Sequence, residues 1–192
     1  QPKFTGVKGQ WDKDNGRYKL YENYGREMAG NEVGYYFSFD CREGEQIEVR
    51  MGVSFVSTAN ARENLDAEQQ GLSFADIRQK ARGTWEETLG RVTVEGGTEA
   101  QKRVFYTALY HTQLHPNILQ DVNGQYPEME NGRTGHTTGN RYTVFSLWDT
   151  YRNLHQFMTL VYPNRQRDMI KSMISMYDES GWLPKWELFG RE

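Results

Sequence analysis

Asp149 and Arg152 stand three residues apart in Ser146-Leu147-Trp148-Asp149-Thr150-Tyr151-Arg152, a spacing that puts a carboxylate and a guanidinium on one face of a helix. Local chemistry gives them a plain role. Asp149 is the third residue after Ser146 and can complete a capping box, and Arg152 can pair with it as a solvated ion pair worth about 0.3–0.5 kcal/mol. The same two groups can instead reach for a polar ligand. Trp186 and Glu187 follow Pro184 in a predicted loop, where binding residues concentrate. His111 and His115 have the i, i+4 spacing of a zinc pair, but no Glu sits beside His111 and no third ligand is evident, so they read as structural. His136 and His155 read as loop and packing residues, and Trp148 and Trp182 as core. Asp121, Glu128 and Glu130 lack the dense alternation of a calcium-binding loop.

The composition narrows the partners. Among 192 residues, 23 Lys and Arg nearly balance 26 Asp and Glu without any basic run, which excludes the electrostatic footprint of a nucleic-acid binder. No apolar run approaches the roughly 20 residues needed to cross a bilayer. Gln1-Pro2-Lys3-Phe4 has neither an initiator Met nor a signal pattern, and reads as a processed or truncated start. The single Cys41 can form no internal disulfide and reads as an inert core or edge thiol. The five Trp and twelve Tyr suit sugar faces, but they suit protein cores equally well.

The elements that would position these residues change character along the chain. Val33, Tyr35, Phe37 and Phe39 alternate with smaller or polar residues, and so do Ile47, Val49, Met51, Val53 and Phe55, which predicts an antiparallel hairpin turning at Cys41 to Glu45. Arg17 to Tyr21 is a further candidate strand, next to the turn signal Asp14-Asn15-Gly16. After Ser57 the period becomes helical. Capping boxes open at Ser73, Thr98 and Ser146, the last leading a helix through Val161 before Pro163. Asn164 can cap a fourth helix that Gly181 ends. Between the second and third boxes lies a polar loop, Asn117 to Arg141. Sheet followed by helical hairpins predicts an α+β chain of two domains, with the boundary between Ser57 and Thr98.

Four stretches together resemble glycoside hydrolase family 92. They are Met51-Gly52-Val53-Ser54-Phe55-Val56-Ser57 with Ala61, Asn64 and Leu65; Phe105-Tyr106-Thr107-Ala108-Leu109-Tyr110-His111; Tyr142 to Arg152; and Gly181-Trp182-Leu183-Pro184-Lys185-Trp186-Glu187-Leu188. The resemblance implies the end of an N-terminal β-sandwich at 1–57, a helical linker at 58–97, and the first helices of an (α/α)6 catalytic barrel at 98–192. It also implies a calcium-dependent, inverting exo-α-mannosidase that acts on terminal α-linked mannose of glycans such as N-glycan branches, exported to the periplasm or cell surface.

Inversion needs a carboxylic acid and a carboxylate base about 6.5–9.5 Å apart. The family's acid, base and main calcium ligands belong to later motifs that this sequence lacks, so no catalytic or metal-binding residue is assigned and the rest of the polypeptide is needed to complete the barrel. What the resemblance assigns here is sugar binding, to Asp149 and Arg152 at the barrel mouth and to Trp186 and Glu187 in the bordering loop. The competing readings are another inverting (α/α)6 glycosidase and a non-catalytic carbohydrate-binding module.

Overall fold

In the computed structural model the backbone is described for residues 5–12, 17–22 and 33–192, and side chains from Phe39 onward. The chain divides into two compact units, Gln1–Glu48 and Val49–Glu192. In the first, β1 (Thr5–Asp12) is flanked by β2 (Arg17–Glu22) and β3 (Val33–Ser38), both antiparallel to it, with Gly9 opposite Leu20 on one side and Gly34 on the other. The candidate strand at Arg17 to Tyr21 is β2; its turn signal lies outside the described residues. The hairpin expected between residues 33–39 and 47–55 is not formed. β3 pairs with β1, and residues 45–54 make no strand. Alternation says which face an extended chain would bury, not which strand it will join. A turn does form, with the Glu45 N–H donating to the Arg42 carbonyl and Gly44 at φ 80°, and Cys41 is exposed.

Within the second unit, Arg50 donates to the carbonyls of Gln69 and Leu72 at 2.8 and 2.7 Å, so a side chain, not a strand ladder, ties down this extended stretch. Those carbonyls lie at and just beyond the end of α1 (Thr58–Gln69), whose N-terminus is capped by Ser57. The boxes at Ser73 and Thr98 close on both sides and start α2 (Phe74–Leu89) and α3 (Glu99–His111). At Ser146 the box fails. Its hydroxyl makes no backbone cap, and the single helix expected through Val161 is instead α4 (Leu147–Thr150), a turn, and α5 (Leu154–Val161). α6 (Pro163–Ser180) starts with Pro163 in its first turn, where a fixed φ and a missing N–H cost nothing, and not with Asn164 as its cap. Gly181 ends it at φ 81°, as its sequence position indicates.

The stretch read as a polar loop is ordered and well packed. β4 (Asn117–Ile118) pairs with β7 (Tyr142–Thr143), β5 (Gln125–Pro127) with β6 (Thr134–His136), and β8 (Phe145–Ser146) with β9 (Trp186–Glu187), all antiparallel. Gly135 lies under the Tyr126 ring, where an added Cβ would meet Cζ at 2.6 Å. Met129, Tyr142, Phe145, Met169 and Met176 form a buried cluster, with Leu147 and Met173 packed against it. Beside it Arg141 meets Glu179 through two hydrogen bonds of 3.0 and 2.8 Å, both side chains being buried. Asp121 collects Ser54, Asn60 and Asn64, three donors from the chain before α1 and from α1 itself, each at 2.7 Å. The content is therefore mixed helix and short strand, and among the described residues the helices close no barrel.

Candidate functional site

Three of the residues singled out from the sequence lie at the β8–β9 pair, where Ser146, which bonds Asp149, lies opposite Trp186 and Phe145 opposite Glu187. Glu187 is fully buried. Its Oε1 accepts from the Thr143 hydroxyl at 2.7 Å and the Gly190 N–H at 2.5 Å, and its Oε2 accepts from the Val144 N–H at 3.0 Å. These three donors offset the loss of water around a carboxylate. Thr143, equally buried, also accepts from the Phe189 N–H at 2.9 Å, so a single hydroxyl bridges the two segments. Glu187 thus faces inward from the strand that presents Trp186 outward, as alternation requires.

Asp149 is exposed on α4, and its Oδ2 accepts from the Ser146 hydroxyl at 2.5 Å. The Ser146 hydroxyl donates to this carboxylate and accepts no backbone N–H of the helix. Among the described residues nothing bonds the other carboxylate oxygen. Arg152 does not pair with Asp149; its Nε donates to the Tyr151 hydroxyl at 3.2 Å, and its guanidinium lies 5.8 Å from that ring. Trp186 packs against Trp148 with centroids 5.8 Å apart and planes at 51°. Trp148 and Trp182, read as core, are 64% and 72% exposed. A four-residue α4 has too few turns to carry Trp148 onto an inward stripe, and Trp182 lies beyond the end of α6.

Glu192 and Thr143 were not singled out from the sequence. The Glu192 carboxylate accepts from the backbone N–H groups of Lys185 and Trp186 at 2.9 and 3.0 Å, and its own N–H donates to Glu130 at 2.8 Å. Thr143 had no signal beyond its place in one resembling stretch, because the strand that holds it is two residues long. His155 bridges Thr150 and Gln166 at 2.8 and 3.1 Å, a packing role. His111 and His115 are exposed.

No group of three or more His, Cys, Asp or Glu side chains suited to a metal ion occurs among the described residues. The chemistry of the best-packed carboxylates agrees: Asp121 and Glu187 are surrounded by N–H and O–H donors, which oppose a cation, and not by oxygen acceptors.

The class of protein to which this arrangement belongs is the glycoside hydrolases. The model of the glycosyl hydrolase family 92 catalytic domain matches residues 60–192, and the chain belongs to that family. Among solved structures it is similar to the family GH92 α-mannosidase BT3965 from Bacteroides thetaiotaomicron, at 33% identity and a TM-score of 0.77, over 100% of this chain and 26% of that one. The same enzyme is known in complex with mannoimidazole. The inverting family GH92 mannosidase BT2199 from Bacteroides thetaiotaomicron is similar at 30% identity and a TM-score of 0.78, over 96% of this chain and 25% of that one. The chain therefore spans about a quarter of the length of these relatives. A search among curated proteins gives no match.

Proposed function

We propose that this chain is the part of an inverting, calcium-dependent exo-α-mannosidase that carries one edge of its mannose site. The observation that carries the reading is the open carboxylate oxygen of Asp149 beside the exposed Trp148–Trp186 pair. A carboxylate that accepts from sugar hydroxyls and an aromatic face that covers apolar C–H groups are the two components a monosaccharide needs. Arg152 adds a donor at the same edge. Glu187, with both oxygens occupied, serves the site from beneath by holding the strand that presents Trp186.

In this reading residues 1–57 end a β-sandwich, 58–97 form a linker, and 98–192 begin an (α/α)6 barrel. The acid, the base and the calcium ligands come from the rest of the polypeptide, and no step of bond breaking is assigned to the residues here. The substrates are terminal α-mannosides of glycans, and the enzyme is exported to the periplasm or cell surface. Similarity to two mannosidases, one bound by a mannose-like inhibitor, supports the substrate class.

Asp149→Asn in the full-length polypeptide tests the site. Asn keeps an acceptor for the Ser146 hydroxyl, so thermal stability should stay near that of the parent, while kcat/KM on an α-mannoside should fall at least about tenfold, equivalent to about 1.4 kcal/mol. An Asn variant with full activity would remove Asp149 from the site.

A further inference from the structure

Glu130, Val144 and Phe189, the non-glycine residues with left-handed backbone among those described, have φ of 59°, 64° and 54°. That conformation is disfavoured for any side chain and most of all for a β-branched one, so Val144 is an outlier. All three belong to one hydrogen-bonded assembly. The Val144 N–H donates to Glu187, the Phe189 N–H to the Thr143 hydroxyl, and the Glu130 N–H to the Gly190 carbonyl at 3.0 Å. Gly190 adopts φ 85° and donates to the same Glu187 carboxylate; a Cβ there would lie 3.3 Å from the carbonyl oxygens of Pro127 and Glu128. Strained backbone persists only where its surroundings over-determine it, and such strain gathers at sites that need fixed geometry.

We propose that Thr143 and Glu187 are a positioning pair for the mannoside edge: their buried hydroxyl–carboxylate bond holds the strained 143–146 and 187–190 segments in register, and so fixes Trp186 relative to Asp149. The inference rests on the mannose-site reading above. Neither residue touches sugar, since both are fully buried. Thr143 is the more sensitive member, because its one hydroxyl both donates to Glu187 and accepts from Phe189. Trp186 is the strand neighbour of Glu187 and lies opposite Ser146, whose hydroxyl holds Asp149, so a slip in the clasp displaces both sugar contacts together.

The test compares Thr143→Val, Thr143→Ser and Asp149→Asn in the full-length polypeptide, with mannoimidazole as the probe. Thr143→Val should weaken mannoimidazole binding at least about tenfold and speed hydrogen exchange of the Phe189 amide, while Thr143→Ser, which keeps the hydroxyl, should restore both. Val144→Gly, which adopts φ 64° without steric cost and keeps the N–H and the Thr143–Glu187 bond, should leave mannoimidazole binding within about twofold of the parent, and a tenfold loss there would overturn the assignment of the clasp to the Thr143 hydroxyl. If Asp149→Asn loses binding and Thr143→Val does not, the positioning role is overturned and the mannose site stands. If the parent itself fails to bind mannoimidazole, the mannose-site reading falls first and takes this one with it.

Discussion

The helices α2 and α3 and the connection from Asn117 to Ser146 satisfy their polar groups in opposite ways. α2 settles its backbone almost wholly within its own sixteen residues, with the Thr88 carbonyl accepting from the Tyr162 hydroxyl, opens with a reciprocal box at Ser73 and Asp76, and buries no side chain. α3 does the same with Thr98 and Gln101 and buries only Leu109. The connection has strands of two or three residues that could not stand alone, yet it contains Leu119, Asp121, Tyr126, Met129, Arg141, Tyr142, Thr143 and Phe145, all buried. Its order comes from contacts distant in sequence: Arg141 to Glu179, Asp121 to Asn60, Thr143 to Glu187. Regular structure and solidity are therefore separate properties in this molecule.

The contrast breaks most readily at Arg141. Arg141→Met removes one partner of a buried pair and leaves Glu179 with the lesser donors Tyr126, Ser175 and the Met129 N–H, so unfolding in urea should show a loss of about 3–5 kcal/mol. A loss below about 1 kcal/mol would mean that the connection is not held from α6. Next comes Asp121→Ala, which leaves the buried Asn60 amide with Gln125 as its remaining acceptor and should cost about 1–3 kcal/mol by the same measurement. Thr98→Ala, in the exposed box of α3, should cost only about 1 kcal/mol.

The smallest effect sharpens the comparison through pH. Hydrogen bonds from the Ser73 side chain, and then from its backbone, hold the Asp76 carboxyl below the usual carboxylate range. A lowered folded value means that the contribution is present at neutral pH and is lost as pH falls through that value. Asp76→Asn should flatten this acid limb in a Tm titration, and an unchanged limb would count against the box.

How legible each region was follows from the same contrast. Ser73 with Asp76 and Thr98 with Gln101 are readable because cap and partner lie within four residues. The family was legible from four short stretches, and parts of the last two pair as β8 and β9. Ser146 and Asp149 have the same spacing and fail as a box: the hydroxyl donates to the carboxylate side chain but accepts no backbone N–H, and the helix stops after four residues. The packed connection was illegible for a different reason. Asp121 and Arg141 look like loop polarity until their partners, 61 and 38 residues away, are known. Thr143 is the extreme case, a buried hydroxyl whose two partners both lie in the stretch beyond α6.

The buried cluster beside Arg141 is built largely from thioethers: Met129, Met169 and Met176 within it, and Met173 against it. Methionine fills irregular space well because it is unbranched and polarizable, but peroxide converts it into a polar sulfoxide that no longer suits such a place. Met129 and Met176 have no exposed surface, so in the folded protein an oxidant must wait for the core to open. The same choice of side chain that lets the short strands pack against α6 thus gives the core a chemical clock. Each opening is recorded as a mass gain on a residue that cannot easily return to its former site, and damage at one sulfur loosens the shelter of the next.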